Sequence, residues 1–308
     1  MSTRPLVLRL TQAALALQVL LVVSGTAVRV TGSGLGCPTW PRCTGTSITN
    51  TAALGSHGFI EFGNRLLAVV LEVVGLALVL AVRRLGAPRA WRRLALTQAM
   101  VVPLQAVVGG LLVLSGLNPY VLIAHFLASF PLILAAAALL RRVLDDQRPG
   151  RAAVVDPTGT AQWLTRALVV ASSAVLMLGT LVTGTGPHAG SPDVARLPFD
   201  PRDVTQLHAD LVYLLVGLVL ATALVTRRTP LWRWSRLLLA LVVAQAGLGY
   251  WQYFTGVPPV LVALHVLGAA LVFTTAAWAA LSARPADAPL PRTAPPLAAR
   301  PAGTATAR

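Results

Sequence analysis

Three histidines stand inside strongly apolar stretches of the chain: His125, His208 and His265. An ionisable side chain in such a setting is costly and usually functional. His208 and His265 fall on different stretches at matching depth. Two neutral imidazoles facing one another supply the axial nitrogens of a six-coordinate haem iron, and the pair is read as haem ligands. Zinc fits less well, because no further Cys, Asp or Glu stands beside them. Asp210 is near in sequence but points about 200° away from His208 on an ideal helix.

The first half of the chain offers a different set. His125 is accompanied by His57, Glu61 and Asn64. These three share one face, at i, i+4 and i+7, if the helix carrying Glu61 extends back to His57. One half thus resembles a closed electron-transfer site, and the other an open site with an acid or base beside it. Glu61 either serves that site, faces water, or pairs with Arg65 at i+4. Glu72, eleven residues on, is a proton-path or a packing residue. Arg29 and Arg65 either pair with haem propionates through bidentate hydrogen bonds or snorkel to the interface. Cys37 and Cys43 lie in a loop on the far side of the membrane from the reducing compartment, where a disulfide is plausible. They bridge only if the segment from Pro38 to Pro41 turns, and then clamp the loop or act in redox chemistry; otherwise they are two thiols.

The elements that must hold these groups are membrane helices. Of 308 residues, 56% are hydrophobic and only 11% charged, against about 25% charged in a soluble domain. That excludes a soluble enzyme, a disordered chain and a secreted disulfide scaffold. Eight apolar runs are long enough to span hydrocarbon, at 10–30, 61–82, 94–114, 121–140, 163–183, 206–226, 236–254 and 260–282. The net charge of +15 comes from arginine alone, clustered between spans, which reads as membrane topology and not as nucleic-acid binding. Twenty of the 25 arginines fall on one side; Arg29, Arg42, Arg65, Arg196 and Arg202 fall on the other. A multi-pass protein of the cell membrane is expected, with both termini cytoplasmic and the 31–60 loop outside.

The spans repeat. Gln105 to Gly109 matches Gln245 to Gly249, and Gly116, Pro119 and His125 match Gly256, Pro259 and His265 at the same offset of 140. Arg83 and Arg84 match Arg227 and Arg228, and Thr31 to Gly34 matches Thr183 to Gly186. The expected fold is an all-α membrane protein of two pseudo-symmetric four-helix bundles, parallel repeats about an axis along the membrane normal. The first unit is 1–150, with the outer loop 31–60; the second is 151–283; and 284–308 is a disordered tail rich in Pro, Ala and Arg. The offset that pairs Arg227 with Arg83 pairs His208 with Asn64.

These residues resemble the haem A synthase family. The resemblance is carried by the run from Val28-Arg29 through Gly36-Cys37-Pro38-Thr39-Trp40-Pro41-Arg42-Cys43, by Glu61-Phe62-Gly63-Asn64-Arg65, and by one His in each of spans four, six and eight. It implies a C-terminal half in which His208 and His265 ligate haem B. It implies an N-terminal half in which His125 ligates haem O and Glu61 takes part in oxidising the C8 methyl group to the formyl group of haem A. It also implies a Cys37–Cys43 disulfide, a haem O synthase as supplier and a terminal oxidase as recipient, with an electron donor or acceptor the sequence does not name. The chain departs from the family at Asn64, where the family carries His; there His57 is the second ligand, or the site is five-coordinate. The rival readings are a bis-His b-type cytochrome that only transfers electrons, and a haem transporter or chaperone.

Overall fold

A computed structural model describes residues 3–147, 154–156 and 159–285. Its helices are α1 (Thr3–Val30), α2 (Gly55–Arg84), α3 (Arg89–Leu114), α4 (Pro119–Leu127), α5 (Ser129–Gln147), α6 (Thr160–Thr185), α7 (Pro201–Thr226), α8 (Trp232–Phe254) and α9 (Pro259–Ser282), with a 3-10 turn at Ala52–Leu54 before α2. With α4 and α5 counted as one span, eight segments are long and apolar enough to cross a membrane. The protein is a multi-pass membrane protein. Residues 286–308, most of the expected tail, lie outside the described residues, as do Arg148 and Arg151. Val154–Asp156 pairs in parallel with Ala283–Pro285 at the arginine-rich end.

Two helices begin well before the apolar runs that announce them. α1 starts at Thr3 and α2 at Gly55, so His57, Glu61 and Asn64 do lie on one helix. The fourth span differs more, because it breaks at Ala128. Pro131 explains the break: it has no N–H for the carbonyl of Leu127, and its ring crowds that carbonyl. Local chemistry fixes other starts. Asn118 caps α4 by accepting from the N–H groups of Tyr120 and Val121 at 2.9 and 3.5 Å. Asp200 caps α7 by accepting from the Arg202 N–H at 2.7 Å. In both cases Pro occupies the first helical position, where its missing N–H costs nothing.

α1, α2, α3 and the α4–α5 span pack as one unit and α6 to α9 as another, joined where α1 and α5 meet α9 and where α4 meets α6. Lipid tails are as apolar as leucine, so close packing and polar ties hold such a bundle together. Val22, Phe130, Ile133, Leu176, Ala270 and Phe273 form the seam between units. Phe130 lies edge-on to both Phe126 and Phe273, with ring centres 5.3 and 5.2 Å away. At the arginine-rich end Arg141 of α5 donates to Ser282 Oγ of α9 at 3.0 Å. Large apolar side chains such as Leu66, Val73, Leu80, Leu224 and Val243 stay exposed, which is the surface that lipid covers.

The repeat is visible in detail. Gln105 Nε2 donates to the carbonyl of His125 at 2.9 Å, and Gln245 Nε2 to that of His265 at 3.1 Å. The α3–α4 and α8–α9 turns each pair a left-handed glycine, Gly116 or Gly256, with a left-handed apolar residue, Leu117 (φ 62°) or Val257 (φ 60°). That conformation costs an L-residue about 1–2 kcal/mol. Leu117 is buried, and its methyl groups pack against Gly34 and Gly190. Val257 is only half-buried. Val257→Gly is expected to leave the thermal midpoint in detergent unchanged or raise it, whereas Leu117→Gly lowers it, because about 2–3 kcal/mol of lost packing outweighs the relieved backbone. Equal losses in the two variants would refute this account of the turns.

Candidate functional site

The three intramembrane histidines share one construction. Each imidazole lies on a glycine of the neighbouring helix. A Cβ on Gly109 of α3 would stand 3.3 Å from Cε1 of His125, one on Gly179 of α6 3.3 Å from Cε1 of His208, and one on Gly249 of α8 3.4 Å from Cε1 of His265. Glycine therefore clears the space each ring occupies. The Nδ1 atom of each ring is buried without a hydrogen-bond partner, and a nitrogen in that state costs free energy until a donor or an electrophile meets the ring. His208 and His265, on α7 and α9, are within electrostatic reach of one another. Among the described residues no three His, Cys, Asp or Glu side chains gather as a metal site. A porphyrin brings four nitrogens of its own and asks the protein for axial donors only, so this donor set fits it.

The N-terminal half builds a second polar centre from α2 and the loop that follows α1. Glu61 is buried, 4% exposed. Its Oε2 accepts the Cys37 N–H at 2.7 Å, and its Oε1 is paired with Arg65 Nη2 at 2.6 Å. Arg65 Nη2 also donates to the carbonyls of Cys37 and Thr39 at 3.1 and 3.0 Å, and Nη1 to that of Arg42 at 3.3 Å. Of the settings open to Glu61 in sequence, the pair with Arg65 is formed and exposure to water is not. The carboxylate and guanidinium knit the loop onto α2. Cys37 and Cys43 are disulfide-bonded and fully buried. Gly36 lies so close to α2 that a Cβ would fall 2.2 Å from the carbonyl oxygen of His57. Trp40 lies across Gly110 of α3, beside the glycine under His125.

The other expected residues are dispersed over this half. His57 is exposed at the start of α2, with Nδ1 2.9 Å from Ser33 Oγ. Asn64 Oδ1 accepts from Ser24 Oγ of α1 at 2.7 Å. Arg29, half-buried in the last turn of α1, donates through Nη2 to the carbonyl of Thr183 at 2.6 Å, in the last turn of α6, where the helix dipole is negative. Its Nε is buried and unpartnered, and Arg196 is within electrostatic reach. Glu72 also leaves one buried oxygen, Oε2, without a partner.

Several contributors escaped sequence reasoning. The glycines under the rings left a trace, since Gly109 and Gly249 match in the repeat, but nothing in sequence tells which side chain they make room for. Trp40 stood in the loop motif without a sign of its contact, and Leu117 left no trace. His188 contributes too: its Nε2, 2.7 Å from the carbonyl of Val257, ties two loops of the second half together. The Gly34 N–H, which donates to the Gly190 carbonyl at 2.9 Å, latches the first half to the second at the same end.

A model of the COX15-CtaA family, described as cytochrome oxidase assembly protein, matches residues 9–190. A protein of Lysinibacillus sphaericus (strain C3-41) named Heme A synthase is 31% identical over 176 residues, 56% of this chain and 57% of that protein. Another of that name, from Geobacillus thermodenitrificans, is 30% identical over 141 residues, 44% of this chain and 42% of that protein. The chain thus spans little more than half the length of the first relative and less of the second. His208 and His265 lie beyond the family match. The match does take in α1 to α6 with the disulfide loop, the Glu61–Arg65 pair and His125, and since it accounts for more than half of the residues, this protein belongs to the COX15-CtaA family of cytochrome oxidase assembly proteins.

Proposed function

We propose that this membrane protein is a haem A synthase, oxidising the C8 methyl group of haem O to the formyl group of haem A. The observation that carries the reading is the set of three half-buried imidazoles, each seated on a glycine and each with a buried, orphaned Nδ1: two in one half, and one in the half that also holds a buried carboxylate. The names of the relatives agree with it. A cytochrome that only transfers electrons leaves the Glu61–Arg65 lattice without work, and a haem transporter has no need of a bis-imidazole pocket in one half alone.

His208 and His265 would hold haem B from both faces, and that cofactor supplies one-electron redox chemistry when bound. His125 would bind the iron of haem O, the substrate, which enters laterally from the lipid. The partners of the neighbouring polar groups favour the five-coordinate alternative on that side, because Asn64 is engaged by Ser24 and His57 by Ser33. Arg29, with its unpartnered Nε, is the candidate for the propionates; Arg65 is directed into the loop. Each oxidation, of methyl to alcohol and of alcohol to hydrate, would add the oxygen of a water and give up two electrons and two protons, and the hydrate then loses water to the aldehyde; the electrons would leave to the open electron partner. Glu61 would accept a proton or stabilise positive charge building at the carbon, with Arg65 and the Cys37 N–H fixing its position. The disulfide would clamp the loop that carries Trp40. The arginine-rich end would face the cytoplasm and the disulfide loop the outside of the cell membrane. A haem O synthase upstream and a terminal oxidase downstream complete the reading, with the electron partner open.

Co-expression with a haem O synthase in a host lacking haem A, followed by pigment extraction, tests the activity. Wild type should yield haem A, and Glu61→Ala at least roughly a hundredfold less; haem O recovered unaltered from wild type would end the proposal. In the purified protein, His208→Ala or His265→Ala should abolish a low-spin b-type signal that His125→Ala retains. His57→Ala should leave the haem O spectrum unchanged; a shift to lower coordination would restore His57 as the second ligand.

A further inference from the structure

The repeat extends to the arginines at the inner turns, and there the halves diverge. At an offset of 144, Arg83, Arg84, Arg89 and Arg92 match Arg227, Arg228, Arg233 and Arg236. In the second half the turn also carries two tryptophans that cover arginines: Arg233 lies 5.0 Å from the ring centre of Trp234, and Arg236 5.8 Å from that of Trp232. At the equivalent places the first half has Ala90 and Pro88. Without those rings, a cavity of about 210 Å³ remains, lined by Arg83, Arg89, Arg92, Arg93 and Leu96.

No acidic side chain among the described residues neutralises that cavity. Among the described residues the ion pairs of this end are Arg4 with Asp146 and Arg141 with Asp145, and no carboxylate reaches the four lining arginines. Arg89, Arg92 and Arg93 stand in the first turns of α3, where the helix dipole is positive, and Arg83 faces them from the last turn of α2. From the cavity an apolar stripe, Leu96, Met100 and Leu104, runs along one face of α3 at four-residue spacing, 43%, 65% and 58% exposed. A concentrated positive charge continuous with an exposed hydrocarbon-facing stripe matches a molecule that is anionic at one end and aliphatic at the other.

We propose that the turn between α2 and α3 is a binding site for an anionic phospholipid, its phosphate held by Arg83, Arg89, Arg92 and Arg93 and an acyl chain lying on Leu96, Met100 and Leu104. The shared chemistry is phosphate recognition by guanidinium groups; the stripe assigns the phosphate to a lipid and not to free phosphate. The matching turn of the second half is the internal control, since its arginines already have aromatic partners.

The test is native mass spectrometry of the full-length protein in detergent, titrated with phosphatidylglycerol, with phosphatidylcholine and with inorganic phosphate. Wild type should retain phosphatidylglycerol over phosphatidylcholine. Arg89→Gln with Arg92→Gln should weaken that binding on the order of tenfold, while Arg233→Gln with Arg236→Gln leaves it unchanged. Both pairs are surface changes, and each variant's elution as a single monodisperse species serves as the folding check. Equal retention in the two double variants would overturn the site. Displacement of the lipid by millimolar inorganic phosphate would overturn its assignment to lipid, and so would equal retention of the two lipids.

Discussion

Inside hydrocarbon no water is available to a buried nitrogen or oxygen, so each polar group at membrane depth must find its partner in the protein. Most of this molecule obeys that constraint by local means. Thr11, Thr26, Ser172 and Thr222 return their hydroxyls to the carbonyl four residues earlier, and Gln18 donates to Gln98 across α1 and α3. Glu61 could not be placed in α2 without the Arg65 guanidinium and the Cys37 N–H, and those two donors fasten the long loop to the bundle. The constraint is not met everywhere: Nδ1 of His125, His208 and His265, Nε of Arg29, Oε2 of Glu72 and several amide and indole atoms, Gln18 Oε1 and Gln245 Oε1 among them, are buried without a partner. The three imidazoles and the Arg29 guanidinium are the ones that belong to residues proposed to meet a haem.

Much of this was legible in the residues. Apolar run length gives the spans, the arginine clusters divide the two ends, and the matched Gln, Pro and His positions reveal the duplication; in the fold the same positions make the same hydrogen bonds. The spacing of His57, Glu61 and Asn64 required an early start to α2, which Gly55 provides. The illegible parts depend on contacts between distant segments. The pairing of Glu61 with Arg65 follows from helical spacing, but the capture of three loop carbonyls by Arg65 requires the loop to lie on α2, and that in turn requires Gly36 to lack a side chain. The break at Ala128 was written in Pro131, but the hydropathy of the run conceals it.

Duplication allows the two halves to be compared as variants of one design. The ring-on-glycine arrangement and the glutamine tie to the backbone are kept in both. What differs is what surrounds them. The second half keeps an imidazole on the helix equivalent to α2, and its arginine-rich turn is filled with tryptophan. The first half replaces that imidazole with Asn64, adds the disulfide loop and leaves its arginine-rich turn open. One half has settled toward a fixed, closed packing and the other has retained polar and unfilled space.

The break in the fourth span bears on this contrast. His265 belongs to α9, an unbroken helix of 24 residues, and moving its ring means displacing a whole column of packed side chains. His125 belongs to α4, nine residues between a left-handed turn at Gly116 and Leu117 and the interruption at Ala128. On the proposed reading, the short rod that bears the substrate-side imidazole is separated from α5 by a break, although Phe126 still ties it to the seam through Phe130. A resident haem would then be held by a continuous post, and a passing one by a jointed piece.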